Sequence, residues 1–316
     1  MTTSKQWNLH EIAAIYEQPF NDLLYEAHRI HKENQPANSI QLAKLLSIKT
    51  GACPEDCGYC SQSGHYSTHV EKEKLMSIEQ VLVKAKEAKE QGAKRFCMGA
   101  AWRCPPDKAM PQLKEMITQV KGLGLETCMT LGMLKDEQAL ALKEAGLDYY
   151  NHNIDTSPSH YDKVTTTRTF KDRLDTVERV RKAGIAVCCG GILGLGETRE
   201  DRIEFLQTLA NMEVPPESVP INRLIPVEGT PLAKSPQVEG IELVRTIATA
   251  RILMPKSVIR LTAGRTEMSD ELQALCYFAG ANSIFIGNKL LTEANPKQDK
   301  DNLLLSKLGI KAFESL

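Results

Sequence analysis

The sequence predicts an α/β fold: a closed (βα)8 barrel of the TIM type with a helical N-terminal extension. Three observations carry this. From residue 40 onward, short β-rich runs alternate with amphipathic helical runs. The strand runs number eight, each separated from the next by enough chain for a helical crossover, which parallel neighbours require. Glycine follows several helical runs, at Gly92, Gly122, Gly146, Gly184 and Gly280, where a helix commonly ends. Eight such units close into a barrel; an open doubly wound sheet is the alternative.

The elements follow in order. Residues 1–39 read as an extension with a helix from Leu9 to Lys32. The strands are Leu42–Thr50, Lys94–Gly99, Leu125–Leu131, Asp148–Asn153, Ile185–Gly190, Ser218–Arg223, Ser257–Leu261 and Ser283–Ile286. Ile78–Gln91 places Ile78, Val81, Leu82 and Ala85 at helical spacing. Similar runs are Lys108–Lys121, Asp136–Ala145, Phe170–Ala183, Arg199–Met212, Ile241–Leu253 and Asp270–Ala279. No composition break marks a second domain within residues 40–288, and residues 289–316 read as an irregular-to-helical tail.

Composition narrows the function. The 316 residues carry a net charge of −1 with 25% charged residues. Neither a basic excess nor a long like-charge run is present, which argues against a nucleic-acid partner. Apolar stretches are too short to cross a bilayer, and Met1–His10 lacks the apolar core of a secretion signal. A soluble, cytoplasmic protein is expected. Nine cysteines, an odd number, then suggest metal or redox chemistry rather than a disulfide frame.

Cys53, Cys57 and Cys60 form a C-x3-C-x2-C run. Three thiolates are one fewer than the four that usually close an iron–sulfur cubane, so one iron would keep an open position for a ligand. Two other readings stand beside this. His65 could complete a Cys3His zinc site, or two thiols could pair and leave one spare.

The strand interiors are unusually polar. Residues two apart share a strand face. Arg95 aligns with Cys97, Asn151 with Asn153, and Ser218 with Asn222; Cys128, Cys188 and Arg260 lie mid-strand, and Ser283 opens the last strand. Asp155 follows strand four, and Ile192 continues the face of Cys188 and Gly190. A buried polar group without a partner costs roughly 1–3 kcal/mol, and an unpaired buried arginine costs more. A second cluster on Cys97, Cys128 and Cys188 would satisfy this set, with Arg260 and Arg95 offsetting its charge. Inert buried thiols are the plainer reading of each cysteine alone. Cys189 faces the other way, Cys104 sits in a loop and Cys276 in a helix, so these three are read as structural.

With these residues in view, the chain resembles the radical S-adenosylmethionine enzymes and, among them, the biotin synthase family, over about residues 9 to 300. The matching segments are SIKTGACPEDCGYCSQS at 47–63, FCMGAAWRCP at 96–105, YYNHNIDTS at 149–157, GGILGLGET at 190–198 and IRLTAGR at 259–265. GGILGLGET lacks the Lys-Ser/Thr of a phosphate-binding P-loop.

The resemblance implies a sulfurtransferase that inserts sulfur into dethiobiotin to give biotin. It implies a [4Fe–4S] cluster on Cys53, Cys57 and Cys60, whose open iron chelates S-adenosylmethionine. A [2Fe–2S] cluster would lie on Cys97, Cys128, Cys188 and Arg260, with Arg95, Ser218 and Ser283 supporting the arginine. For S-adenosylmethionine, Tyr59 and Ile192 would flank the adenine, Asn153 and Asp155 the ribose, Arg173 the carboxylate, and Gly99, Ala100, Ala101 and Trp102 the methionine end. For dethiobiotin, Asn151, Asn153 and Asn222 would bind the ureido ring and Thr292 the carboxylate. A deoxyadenosyl radical would abstract hydrogen twice, consuming two S-adenosylmethionine molecules per biotin. The implied partners are a flavodoxin- or ferredoxin-type electron donor and a second copy of the chain in a homodimer. Ala43 departs from the pattern, which implies a serine near the arginine. Another radical S-adenosylmethionine enzyme, an iron–sulfur electron carrier or redox sensor, and a zinc-stabilised binding barrel are the competing readings.

Overall fold

The computed structural model describes residues 5–313. Met1–Ser4 of the expected polar N-terminus and residues 314–316 of the expected tail lie outside the described residues. In chain order the elements are α1 (Leu9–Tyr16), α2 (Phe20–Asn34), β1 (Ser39–Lys49), α3 (Ile78–Glu90), β2 (Arg95–Ala100), α4 (Met110–Gly122), β3 (Glu126–Thr130), α5 (Asp136–Glu144) and β4 (Tyr149–Asn151). Then follow α6 (Pro158–Tyr161), α7 (Phe170–Lys182), β5 (Ala186–Cys188), β6 (Gly191–Leu193), α8 (Arg199–Ala210), β7 (Ser218–Arg223), α9 (Gly240–Leu253), β8 (Val258–Leu261), α10 (Asp270–Phe278), β9 (Ser283–Phe285), α11 (Gln298–Lys307) and β10 (Lys311–Ala312).

Capping side chains set where several barrel helices begin. Ser77 with Gln80, Thr169 with Asp172, and Thr198 with Asp201 form reciprocal capping boxes at α3, α7 and α8. The parallel strands run β1-β2-β3-β4-β5-β7-β8-β9, and β9 pairs back onto β1. The barrel is therefore closed, and the open-sheet alternative is set aside. Its outer apolar layer joins strand side chains such as Phe96, Met98, Met129 and Ile259 to the inner faces of the helices.

Besides shifted strand ends and the added short helix α6, four details differ from the expectation. The N-terminal helix is two helices, because Pro19 cannot continue α1 and instead stands as N-cap of α2. Both pack on the barrel's outer helices: Tyr16 Oη of α1 lies 2.9 Å from Thr246 Oγ1 of α9, and His28 Nδ1 of α2 lies 3.0 Å from Phe278 O of α10. Gly122 is the last residue of α4 rather than its stop, and Gly124, at φ +82°, takes the left-handed position. The tail adds β10, which pairs in parallel with the start of β1 through Ser39 and Ile40.

The fourth difference bears on the site. The fifth strand, expected as Ile185–Gly190, breaks after Cys188 and resumes as β6. Cys188 pairs with Ser218 and Gly191 with Ile221, so Gly190 stands at the register step of Pro220. Pro220 has no N–H for the ladder. A Cβ on Gly190 would lie 2.0 Å from the Pro220 carbonyl oxygen, so only glycine allows this approach. Gly190→Ala is expected to destabilise the protein by at least the about 1–3 kcal/mol of an overpacked core, measured by denaturant unfolding.

Candidate active site

The C-terminal end of the barrel, where enzymes of this architecture place their chemistry, opens on a cavity of about 340 Å³. The loop after β1 carries Cys53, Cys57 and Cys60 into it. This loop is tied down tightly. Cys53 N donates to Gln62 O at 2.9 Å, Cys60 N to Cys57 O at 2.9 Å, and Gly58 N to Val164 O at 2.8 Å. Gly51 and Ala52 turn the chain through positive φ, at +70° and +53°. Asp56 accepts from Thr165 Oγ1 at 2.7 Å, from the amides of Thr166 and Thr167 at 2.9 and 3.1 Å, and from the Thr166 hydroxyl. Burial works against its charge, but the Thr166 and Thr165 hydrogen bonds hold its carboxyl well below the usual range.

Deeper in the barrel lies a second set of thiols. Cys97 and Cys128 are register partners across β2 and β3, and both belong to an inner cluster with Ala43 and Phe285, separate from the outer layer. The neighbouring Cys128 thiol holds Cys97 low, against burial and aided by Arg260 and Arg95, while Cys128 itself is raised. Cys188 is fully buried and accepts from Asn151 Nδ2 at 3.2 Å. Arg260, on β8, reaches over β9 to β1: its Nε donates to Ser283 Oγ at 2.8 Å and one Nη to Gln41 Oε1 at 2.9 Å. Its guanidinium carbon stands 4.7 Å from the Phe285 ring centre.

Two of the expected supports for Arg260 do other things. Arg95 donates to Glu126 at 3.0 Å and stacks 3.3 Å over the Tyr149 ring; it reaches Arg260 only indirectly, through Glu126 and Gln41. Ser218 Oγ and Arg95 Nη1 are buried with no hydrogen-bond partner among the described residues. Ala43 pairs with Arg95 across the strands and adds no polar atom to the set.

The remaining expected residues line the same cavity. Tyr59 and Ile192 pack in one apolar cluster with Leu195 and Leu224. Asp155, at φ +67°, forms a buried ion pair with Arg173, whose Nε also donates to Tyr161 Oη at 2.9 Å. Burial disfavours the Arg173 charge, but Asp155 beside it carries its pKa above the ordinary range. Gly99 and Ala100 end β2, and Ala101 and Trp102 follow it along the rim. Asn151, Asn153, Asn222 and Thr292 also face the cavity. Asn153 Oδ1 accepts from Gly190 N at 3.1 Å and from Asn151 Nδ2 at 3.3 Å. Asn222 Nδ2 donates to Gly191 O at 2.9 Å, and its Oδ1 accepts from the Thr262 hydroxyl and Ala263 N. Thr292 Oγ1 lies 2.9 Å from Ser61 Oγ, so the tail segment rests on the cysteine loop.

Sequence reasoning missed Gln41, Glu126, Glu55 and Arg168. Gln41 shares a strand face with Ala43 and Leu45, a signal that could have found it. The others are joined only by folding. His65 Nε2 donates to Pro54 O, 3.0 Å away, and among the described residues no three His, Cys, Asp or Glu side chains converge on one point. That geometry weighs against the Cys3His zinc site; the thiols of a cluster bind different irons and need not converge. Cys189 packs in the outer layer, Cys276 is buried in α10, and Cys104 Sγ donates to Gln138 Oε1 at 3.4 Å, as expected of structural residues.

Comparison with known proteins decides between the competing readings. Residues 47–209 match the radical SAM superfamily model, and residues 220–311 match the biotin and thiamin synthesis associated domain. The biotin synthase of Legionella pneumophila (strain Corby) is 81% identical over 307 residues, which span 97% of this chain and 98% of that protein. The chain belongs to the biotin synthase family. The Brucella ovis biotin synthase is 63% identical over 97% of this chain and 94% of its own length. Among solved structures, methylornithine synthase superposes with a TM-score of 0.81 at 18% identity, covering 98% of this chain and 95% of its own. The FeFe-hydrogenase maturase HydG from Carboxydothermus hydrogenoformans gives 0.83 at 19% identity, covering 98% and 77%. These two share the fold.

Biotin synthases are radical S-adenosylmethionine enzymes that insert sulfur, and a [4Fe–4S] cluster, a [2Fe–2S] cluster and S-adenosylmethionine are their cofactors. The residues present fit these groups. In the loop, burial pushes the Cys60 thiol up to about 12 and raises Cys53, so thiolates there need the cationic iron that a cluster brings. In the barrel, three buried thiols face two arginines, and the orphaned Arg95 Nη1 and Ser218 Oγ are atoms that a bound group can satisfy. Among the described residues, no helix is long and apolar enough to cross a membrane.

Proposed function

We propose that this chain converts dethiobiotin to biotin in the cavity at the C-terminal end of its barrel. The observation that carries the proposal is that Cys53, Cys57 and Cys60 of the loop after β1 line one cavity with Cys97 and Cys128 of β2 and β3, while Cys188 of β5 is buried behind Asn151 of that lining, in a member of the biotin synthase family. Cys53, Cys57 and Cys60 would hold the [4Fe–4S] cluster, and Cys97, Cys128, Cys188 and Arg260 the [2Fe–2S] cluster. When bound, these groups and S-adenosylmethionine supply a deoxyadenosyl radical and a sulfide, which unactivated C–H bonds require.

The chain's own residues bind, orient and exclude water. Tyr59 and Ile192 would flank adenine in their shared apolar cluster. Asp155 can accept hydrogen bonds from ribose hydroxyls, with Arg173 held beside it for a carboxylate. Ala100 and Trp102 would line the methionine end. For the flat urea of dethiobiotin the amides are complementary. Asn151 commits its Nδ2 to Cys188 and Asn153, which frees its Oδ1 to accept a ureido N–H. Asn153 commits its Oδ1, which frees its Nδ2 to donate to a ribose hydroxyl or the ureido oxygen. Asn222 has one amide hydrogen to spare. Thr292 would meet the substrate carboxylate at the mouth.

Asn222→Ala is therefore expected to raise KM for dethiobiotin by roughly tenfold, the worth of about 1–1.5 kcal/mol for one hydrogen bond. KM for S-adenosylmethionine should stay within about twofold, since no bond to that ligand is assigned to it. Steady-state kinetics with each substrate varied in turn checks this, and an effect confined to S-adenosylmethionine contradicts the placement.

The proposal keeps three parts: residues 1–39 as a helical extension, 40–288 as the catalytic barrel and 289–316 as a tail. It also includes a cytoplasmic location, a homodimer and an electron donor of the flavodoxin or ferredoxin type, carried by the family resemblance.

A further inference from the structure

Arg168 lies in the segment between α6 and α7 and is nearly buried, with its side chain 7% exposed. One Nη donates to Cys57 Sγ at 3.1 Å. Behind the guanidinium stands a carboxylate, although Arg168 Nε makes no hydrogen bond among the described residues. Its Nε stands 3.9 Å from Glu55, a carboxylate 2% exposed that also pairs with Arg103 at 3.2 Å. The three preceding threonines grip Asp56 and Glu55 of the cysteine loop, and Arg103 donates to Thr167 O at 2.6 Å. Two chain segments more than a hundred residues apart thus hold one cation against one of the three loop thiols.

We propose that Arg168 is a positioning residue that sets the reduction potential of the loop cluster, through its charged hydrogen bond to Cys57. The proposal rests on the assignment of the [4Fe–4S] cluster to Cys53, Cys57 and Cys60. Adding one electron to the cluster, from the 2+ to the 1+ core, makes no bond and moves no proton; it adds one negative charge to a buried site. A cation donating to a ligand sulfur stabilises that added charge, and hydrogen bonds to the sulfurs are a recognised control of such potentials. Nearness to the sulfur matters because the surroundings are low in dielectric. Arg173, by contrast, is committed to Asp155.

The test is an anaerobic dithionite titration of reconstituted protein without S-adenosylmethionine, read from the EPR signal of the reduced [4Fe–4S] cluster, on wild type, R168K and R168M. R168M is expected to lose about tenfold in the one-electron reduction equilibrium, a fall of about 59 mV. R168K, which keeps the charge with a different reach, should fall less. R168M at the wild-type potential with full iron content overturns the proposal while leaving the cluster assignment intact. A wild-type protein that holds no [4Fe–4S] cluster overturns both. Should R168M fail to load its cluster, wild type grown on guanidino-15N arginine decides. A 15N coupling to the reduced cluster that disappears in R168K supports the proposal, and its absence from wild type overturns it.

Discussion

Cys57→Ala is expected to abolish formation of deoxyadenosine, with or without dethiobiotin present. Cys57 is the most enclosed member of the loop set by position: its carbonyl accepts from Cys60 N, its neighbour Gly58 is tied to Val164, and its sulfur receives Arg168. Removing its sulfur leaves two thiols at a site that needs three, and leaves the Arg168 cation facing a methyl group. The loss should be on the order of 10³-fold or more, beyond the about 10–100-fold that losing an outer hydrogen-bond partner of a metal ligand costs. Chromatographic detection of deoxyadenosine, beside iron analysis of the purified variant, measures it. Retained turnover would mean that the loop cysteines hold no catalytic cluster.

Cys128→Ala should separate the two halves of the chemistry. Biotin formation is expected to fall by on the order of 10²-fold or more, since a ligand is lost rather than its outer partner. The [4Fe–4S] absorbance and reductive cleavage of S-adenosylmethionine should persist. The reason is topological: Cys128 sits on β3, in register with Cys97, while the loop cysteines depend on hydrogen bonds to residues 62, 164 and 165–167. Arg260 and Arg95, which face the inner thiols, would also lose part of the charge they balance, so the site's affinity for iron should drop. Cys189→Ala is the control. It is as buried as Cys128 but packs in the outer layer, so both activities should survive. Equal losses of biotin and deoxyadenosine in Cys128→Ala would contradict a separate second site.

Much of this arrangement was legible in the sequence because β-strand parity is strict. Cys97, Cys128 and Cys188 were separable from Cys189 by counting two residues at a time, and the barrel followed from the alternation of periods. Strand ends were not legible where backbone contacts set them. The break between β5 and β6 depends on Gly190 approaching Pro220, thirty residues away, which no local pattern encodes. The polar partners were hidden for a similar reason. Gln41 meets Arg260, and Glu55 meets Arg168 and Arg103, only once the barrel has closed and the α6–α7 segment has docked. The amides show a further limit: their residue types suggested hydrogen bonding, but which atoms remain free depends on bonds to Cys188, Gly190 and Gly191.

Whether the two thiol sets serve one sulfur-inserting reaction is read from an anaerobic single-turnover assay of protein carrying both clusters, with dithionite, S-adenosylmethionine and dethiobiotin, scoring deoxyadenosine and biotin together. Both products are expected, with two deoxyadenosines formed for each biotin because two C–H bonds are broken. Deoxyadenosine without biotin, from protein shown to hold both clusters, would contradict a shared reaction.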